Sequence, residues 1–430
     1  MSDVGWALAV LFPLLLLVGL PIYAALGITG LAVTWLTGTP LLFGTQSILN
    51  GLDNFPLLAI PAFILAGNLM EAGGITGDII RIFRRAFGHI PGSLGIVTIL
   101  SCMFFAAISG SGPGTVAAIG AIMIPAMIQR GYPAPFAAAT SATGGTLGVL
   151  IPPSNPMIIY AIIANVSVID LFAAGMLPGL IVGLTLALVA YLVARRAGAV
   201  MQPIGDEDEE TASVGRLVWQ GKWAVFMPIL ILGGIYSGIF TPVEASVVAV
   251  AYALVVSLLV YRTMTWRGLL RAFDGAVLMG GALMIVVATS TLFARTITLE
   301  RIPQELVEVF GSVTTEPLVI LLMINVLLLV IGTFMETISA IIILAPILVP
   351  LVRSFGIDPV HFGIILIINI EIAFLTPPLG VNLFVGAQIA GVSIERVFRA
   401  ILPFIGALVA LLALITLVPQ LSLFVPSLLR

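Results

Sequence analysis

The chain has 430 residues, of which 60% are hydrophobic and only 9% are charged, and its mean hydropathy is +1.23. A water-soluble protein carries roughly 25% charged residues, so this composition excludes a soluble domain and predicts an outer surface that faces lipid. The net charge of −3 excludes little. The single cysteine, Cys102, excludes an internal disulfide and is predicted to be an inert core residue.

Apolar runs predict the ordinary membrane spans. No basic residue precedes the first run, so we expect a retained span and not a secretory signal. At about 20 residues per crossing, spans are predicted at 6–24, 25–40, 55–71, 173–194, 222–240, 242–261, 275–294 and 401–427. Residues 199–221 include a run of five acids and are predicted to form a cytoplasmic linker between the halves 1–198 and 222–430.

Other apolar runs are interrupted by Gly, Ser, Thr and Pro. The interruptions fall at 109–115, 144–146 and 151–156 in the first half and at 332–337 and 376–382 in the second. We interpret each Gly-rich tip as the turn of a re-entrant hairpin and each Pro-Pro pair as a break in a crossing helix. The predicted hairpins are 93–130 and 317–352, and the predicted broken helices are 134–165 and 359–390.

The two interrupted regions repeat each other at an offset of 225 residues. The matching pairs are Pro125 and Pro350, Gly131 and Gly356, Pro152-Pro153 and Pro377-Pro378, and Pro178 and Pro403. The first half crosses the membrane five times, which is an odd number, so the second half has the opposite orientation in the membrane. With the N-terminus outside, 13 of the 17 basic residues lie in the cytoplasm, as the positive-inside rule requires. The amphipathic segments 77–89 and 302–310 are predicted to lie along the interface, with ordinary loops as the alternative.

Broken helices at membrane depth survive only when they are buried in protein or line a wet cavity. Inverted repeats of such helices are typical of secondary transporters. Helix ends and Ser, Thr or Asn oxygens suit a hard cation such as sodium, so we predict two cation sites related by the repeat. The candidates are Ser109, Ser111, Gly112, Gly145, Thr146 and Asn155 in the first half, and Gly332, Thr333, Thr337, Thr376, Gly380 and Asn382 in the second.

The solute is predicted to bind between the two tips. Ser111, Ser154 and Glu336 are its candidate contacts. Glu336 and Glu371 are the acids expected deepest in the membrane, where an ionisable group indicates function. Either acid could bind a cation, carry a proton or pair with backbone amides.

Four stretches together resemble the large membrane subunit of TRAP (tripartite ATP-independent periplasmic) transporters. They are Ser109-Gly110-Ser111-Gly112-Pro113-Gly114-Thr115, Gly148-Val149-Leu150-Ile151-Pro152-Pro153-Ser154, Gly332-Thr333-Phe334-Met335-Glu336 and Thr376-Pro377-Pro378-Leu379-Gly380-Val381-Asn382. The resemblance covers the whole chain. It implies an all-α membrane protein with about ten spans, two re-entrant hairpins and an elevator mechanism.

The same resemblance implies a sodium-driven importer of carboxylates, such as C4-dicarboxylates or sialic acid, in the bacterial inner membrane. Sodium is the coupling ion and no other cofactor is implied. The implied partners are a small four-helix membrane subunit and a soluble periplasmic substrate-binding protein.

Three other readings stay open. A stand-alone sodium–dicarboxylate symporter of the same superfamily would work without partners. An intramembrane enzyme is disfavoured because the two histidines, His89 and His361, form no catalytic motif, and a channel fits paired cation sites less well. No nucleotide-binding G-x-x-x-x-G-K-[ST] loop is present, so ATP is not the energy source.

Overall fold

The computed structural model describes residues 3–90, 92–196 and 213–429, and every regular element within these ranges is helical. The helices of the first half are α1 (Asp3–Leu17), α2 (Ile22–Leu36), α3 (Leu41–Leu52), α4 (Ala59–Ala72), α5 (Ile75–Phe87), α6 (Ser93–Ser109), α7 (Gly112–Gln129), α8 (Ala134–Leu150), α9 (Asn155–Ala164) and α10 (Val168–Arg196). Those of the second half are α11 (Val214–Gln220), α12 (Lys222–Tyr236), α13 (Pro242–Val255), α14 (Trp266–Leu299), α15 (Ile302–Val313), α16 (Pro317–Gly332), α17 (Thr337–Ser354), α18 (Pro359–Ala373), α19 (Val381–Ala390), α20 (Ile394–Leu417) and α21 (Gln420–Leu429).

Length and apolarity identify the helices that can cross a membrane. Within the described ranges, seven helices qualify alone, and ten spans result if each of three bent pairs counts as one. The chain is therefore an all-α membrane protein.

Several predicted span ends are wrong by a few residues, for local reasons. The first two spans meet near residue 20 and not at 24–25, because Gly19 adopts a left-handed φ of 87° and Pro21 caps α2. The span predicted at 275–294 is the 34-residue helix α14, which continues through charged turns at both ends. Residues 401–427 are not one span, since α20 ends at Leu417 and α21 starts just after Pro419.

Two short helices were not predicted. Helix α3 separates α2 from α4, and α11 occupies the end of the predicted linker 199–221. The acidic run 206–210 lies outside the described residues. The segments expected along the interface are α5 and α15.

The interruption predicted at 144–146 is wrong, because α8 continues through it to Leu150. The glycines there allow close helix contact: a Cβ on Gly144 would lie 2.6 Å from Cys102 Sγ. Small residues commonly serve this purpose between membrane helices.

The helices form two groups that pack against each other. The first, called the scaffold, is residues 3–72 and 242–299, in which α14 packs against α2, α3 and α4. The second, called the core, is residues 93–196 and 317–417. In the core, α6 packs on α8 within the first half, and α16 packs on α18 within the second. Two other pairs join the halves: α7 packs on α19, and α17 packs on α9. This reciprocal packing follows the 225-residue repeat.

Candidate functional site

The first tip, residues 109–115, is a tight turn between α6 and α7. Gly110 has a left-handed φ of 59°, which L-residues adopt at a cost. The Oγ of Ser111 accepts from the Gly114 amide at 3.4 Å and caps α7. Thr115 Oγ1 lies 2.9 Å from Ser109 Oγ and donates to the Ser111 carbonyl at 2.8 Å. The hydroxyls of Ser109 and Ser111 therefore help to fix the shape of the tip.

The first tip meets the first break, residues 151–154, where α8 and α9 bend by 41°. The backbone amide of Asn155 donates to the Gly110 carbonyl at 3.5 Å. Helix α9 then continues for ten residues, about 15 Å. The tip thus stops part-way along the broken helix, as a re-entrant hairpin would.

Two buried asparagine side chains lie beside this tip with hydrogen-bonding capacity unused. Asn155 is 4% exposed and its Oδ1 has no partner, while Asn382 is fully buried and neither Oδ1 nor Nδ2 bonds another described residue. Buried polar atoms are almost always hydrogen-bonded. Such atoms in a tight polar cluster indicate a ligand.

Backbone carbonyls complete the cluster around Asn382. A Cβ on Gly112 would lie 3.3 Å from the Asn382 side chain and 3.3 Å from the Gly145 carbonyl oxygen. A Cβ on Gly145 would lie 3.0 Å from the Gly112 carbonyl oxygen. Neutral oxygens in a small space are ligands for a hard cation, whereas zinc and copper prefer nitrogen and sulfur.

The sequence assigned Asn382 to the second half, but the structure places it at the first tip. The reason is that α19 packs against α7 and α8 and so brings its first turn to Gly112 and Gly145. Three of the predicted residues, Gly112, Gly145 and Asn382, are therefore brought together, and Asn155 lies beside Gly110 of the same tip.

The second tip, residues 332–337, is held by carboxylates. Glu336 Oε2 caps α17 by accepting from the Ser339 amide at 3.1 Å and its hydroxyl at 3.2 Å. Thr337 Oγ1 donates to Glu371 Oε1 at 2.9 Å. Glu371 is 3% exposed and its Oε2 has no partner among the described residues.

The second tip meets the second break, residues 374–380, as the first tip meets the first break. The Leu379 amide donates to the Thr333 carbonyl at 3.2 Å. Thr376 Oγ1 donates to the Ile372 carbonyl at 3.1 Å, and Gly380 starts α19 with a left-handed φ of 45°. Leu379 contacts the second tip and Asn382 lies at the first, so about 10 Å of chain joins the two tips.

Two further predicted residues make hydrogen bonds within or at the start of their own helices. Thr146 Oγ1 donates to the Thr143 carbonyl at 2.8 Å within the unbroken α8. Ser154 is fully buried, and its Oγ accepts from the Met157 amide at 3.4 Å to cap α9.

A cavity of about 610 Å³ separates scaffold helices α3 and α14 from core helices α9 and α17. Arg295 Nη1 bonds Ser47 Oγ at 3.5 Å on the scaffold side, and Arg353 Nη2 bonds the Ala164 carbonyl at 2.6 Å on the core side. No acid is among the described residues that line it, so the cavity favours an anion. Its polar lining is Asn50, Asn54, Asn165, Ser290, Thr291, Arg295, Thr298 and Arg353.

A smaller pocket of about 100 Å³ lies between the first tip and the scaffold. Ser109, Ser111 and Gly114 of the tip face Asn68 and Glu71 of α4 across it. The first tip therefore has a space beside it, whereas the larger cavity reaches α17 only at Ile342, five residues after Thr337 of the second tip.

Replacing Gly110 by alanine should destabilise the protein more than replacing Gly131, which has a similar φ of 82°. Left-handed backbone costs either alanine roughly 1–2 kcal/mol. Only at Gly110 would the new Cβ also press against a backbone oxygen, 2.9 Å away at Pro153, whereas Gly131 has nothing within 4 Å. We expect an additional loss of about 1–2 kcal/mol in unfolding experiments in detergent. Equal losses in G110A and G131A would contradict the contact.

Comparisons with known proteins agree on one family. The family model described as "Tripartite ATP-independent periplasmic transporter, DctM component" matches residues 9–421. The isethionate TRAP transporter permease protein DctMQ of Oleidesulfovibrio alaskensis is 42% identical over 414 residues, which are 96% of this chain and 65% of that protein. The C4-dicarboxylate TRAP transporter large permease protein DctM of Pseudomonas aeruginosa is 42% identical over 375 residues, 87% of each chain.

Two further similarities extend this result. The sialic acid TRAP transporter large permease protein SiaM of Vibrio cholerae is 37% identical over 415 residues, 96% of each chain. The crystal structure of the YdaH transporter of Alcanivorax borkumensis has a TM-score of 0.69 at 14% identity, covering 92% of this chain and 97% of that one. This last likeness is one of fold alone.

Proposed function

The chain belongs to the DctM family of large permease subunits of tripartite ATP-independent periplasmic transporters, and we propose that it imports small organic acids by coupling their entry to sodium. It is a multi-pass transport protein of the membrane and not an enzyme. The observation that carries the sodium proposal is the fully buried side-chain amide of Asn382, which has no hydrogen-bond partner among the described residues and lies beside the carbonyls of Gly112 and Gly145.

Two cation sites follow from the two tips. At the first, Gly112, Gly145, Asn155 and Asn382 would hold sodium through neutral oxygens, with Ser109 and Ser111 shaping the turn. At the second, the candidate ligands are Gly332, Thr333, Thr337, Thr376 and Gly380, next to the carboxylate of Glu371. A bound cation would supply positive charge where each tip meets its break and hold the tip closed.

The proposed solute is a small carboxylate. The relatives named above are described as transporters of isethionate, C4-dicarboxylates and sialic acid, which are all acids. The cavity with Arg295 and Arg353 and no acid is consistent with such a ligand, because guanidinium groups bind carboxylates through two parallel hydrogen bonds. Glu336 is a poor contact for an anion, and its Oε2 already caps α17.

An elevator motion of the core against the scaffold is the proposed mechanism. Its support is that the interfacial helix α5 is hydrogen-bonded to residues that directly follow the scaffold helix α13. Tyr261 and Arg81 both bond Asp78, and Thr263 Oγ1 donates to the Gly73 carbonyl at 2.6 Å. The core begins just beyond, at α6, after a left-handed Gly92.

The partners and orientation complete the proposal. We propose that the chain works with a small four-helix membrane subunit and a soluble periplasmic binding protein in the bacterial inner membrane. Its N-terminus and the rim of the larger cavity, with Arg295 and Arg353, would face the periplasm.

Reconstitution tests the function. Proteoliposomes that contain this chain and the small subunit should accumulate labelled solute only when the solute-loaded binding protein and an inward sodium gradient are both present. Collapsing the gradient with a sodium ionophore should stop accumulation. Full-rate uptake by this chain alone would instead establish a stand-alone symporter, and uptake that ignores sodium would contradict the coupling ion.

Cysteine labelling tests the orientation. Cys102 is fully buried and should give little background with a membrane-impermeant maleimide. Ile239, 70% exposed between α12 and α13, and Val214, 39% exposed at the start of α11, should lie on opposite sides. We expect Ile239→Cys to react in intact spheroplasts and Val214→Cys only in inverted vesicles. The reverse pattern would place the N-terminus in the cytoplasm.

A further inference from the structure

A second crevice, of about 400 Å³, lies between the core and helices α5, α12 and α21, and is almost wholly apolar. Its walls come from arm α5, core helices α6 and α10, the first break, and helices α12 and α21. Leu180 and Met176 are 46% and 36% exposed in it. The residues that carry the argument are Phe83, Met103, Ile151, Leu180, Leu232 and Val425.

Water is a poor occupant of such a crevice, because its lining offers almost no hydrogen-bond partner and apolar cavities stay dry. Its walls belong to helices that cross or border the bilayer, so hydrocarbon is the surrounding medium. The available occupant of matching chemistry is a lipid acyl chain.

Basic residues collect at one end of this crevice. Helices α11 and α12 pack against α5 and carry Arg216 and Lys222, and Asp78 of α5 is the one acid among the described residues of these three helices. Asp78 already bonds Arg81 and Tyr261. Among the described residues, Arg216 and Lys222 therefore bring positive charge to this end of the crevice, which complements an anionic headgroup.

Aromatic residues place this cationic end at the membrane surface. Lys222 Nζ lies 4.1 Å from the Trp219 ring centroid and 5.2 Å from that of Trp223. Tryptophan collects where hydrocarbon meets headgroups. Leu232 lies ten residues after Lys222 on α12, about 15 Å away along the axis. One leaflet of the hydrocarbon core is also about 15 Å thick.

We propose that an anionic phospholipid binds here, with an acyl chain in the crevice and its headgroup against the basic ends of α5, α11 and α12. The acyl chain would contact helices α5, α12 and α21 on one side and core helices α6 and α10 on the other. The site would therefore link lipid composition to the position of the core.

The test uses the full-length chain reconstituted with equal amounts of phosphatidylglycerol and phosphatidylcholine, then extracted and weighed by native mass spectrometry. Wild-type protein should retain phosphatidylglycerol in preference. Leu180→Trp should fill the crevice and reduce retention about tenfold. Leu184→Trp is the control, because Leu184 lies one turn along α10, is 53% exposed and does not line the crevice.

A double variant tests the headgroup contact. Arg216→Gln with Lys222→Gln should abolish the preference for phosphatidylglycerol without removing bound phosphatidylcholine. Retention by Leu180→Trp equal to wild type would overturn the proposal, as would a wild type that retains neither lipid or both equally. Met103→Trp, which fills the crevice from α6, replaces Leu180→Trp if that variant fails to fold, with the same expected loss.

Discussion

Replacing Arg295 by glutamine is expected to raise the solute concentration needed for half-maximal uptake about 30-fold. A hydrogen bond to a charged group contributes roughly 2 kcal/mol, and about 1.4 kcal/mol is a factor of ten in affinity. The value of roughly 2 kcal/mol lies in the lower part of the range for hydrogen bonds to charged groups. We use it because Arg295 is exposed in its cavity, where water screens its charge. The measurement is initial uptake against solute concentration in the reconstituted system.

Two further variants separate charge from geometry. Arg295→Lys keeps the charge but loses the planar guanidinium, so its half-saturating solute concentration should lie between those of the wild type and R295Q. Arg301→Gln is the control, since Arg301 precedes α15 near the same end of the protein but does not line the cavity. We expect its uptake to stay within about twofold of wild type. An unchanged half-saturation in R295Q would remove this arginine from the solute site.

Arg295 also shows where reading the sequence failed. The predicted span 275–294 ends one residue before it, because a predicted span usually ends at a charge. The structure continues α14 through it to Leu299 and turns it toward a cavity. The available signal was an arginine on a helix long enough to extend past the membrane.

The breaks were predictable because their cause is local. Proline cannot donate an amide and clashes with the preceding turn, so the pairs at Pro152 and Pro377 end α8 and disrupt the chain after α18. Glycine alone is a weaker signal. Gly144 and Gly145 looked like a break but serve close packing, which depends on neighbours that only the fold supplies.

The partner of each break was less predictable, since it depends on how helices cross. Symmetry suggested that each half builds its own cation site. The packing of α19 on α7 and α8 instead moves Asn382 across the repeat to the first tip. Its counterpart by the 225-residue offset is Met157, so the two halves do not supply equal ligands.

Replacing Asn382 by alanine should remove the sodium-dependent stabilisation that the first site contributes, while leaving sodium-free stability unchanged or higher. A buried amide without a protein partner costs free energy unless a ligand satisfies it, so alanine removes that cost. A ligand at 100 times its dissociation constant stabilises a protein by about 2.7 kcal/mol. The variant should lose most of this gain, and the sodium concentration for half-maximal uptake should rise at least about tenfold.

Thermal unfolding of purified protein across a sodium series, with potassium keeping the ionic strength constant, measures both effects. Gln388→Ala is the matched control, because Gln388 carries an amide on the same helix but is exposed. It should behave as wild type in both salts. A purely structural role for Asn382 would lower stability equally with and without sodium, and that result would exclude it as a cation ligand. The contrast between the two salts therefore distinguishes a binding amide from a packing one.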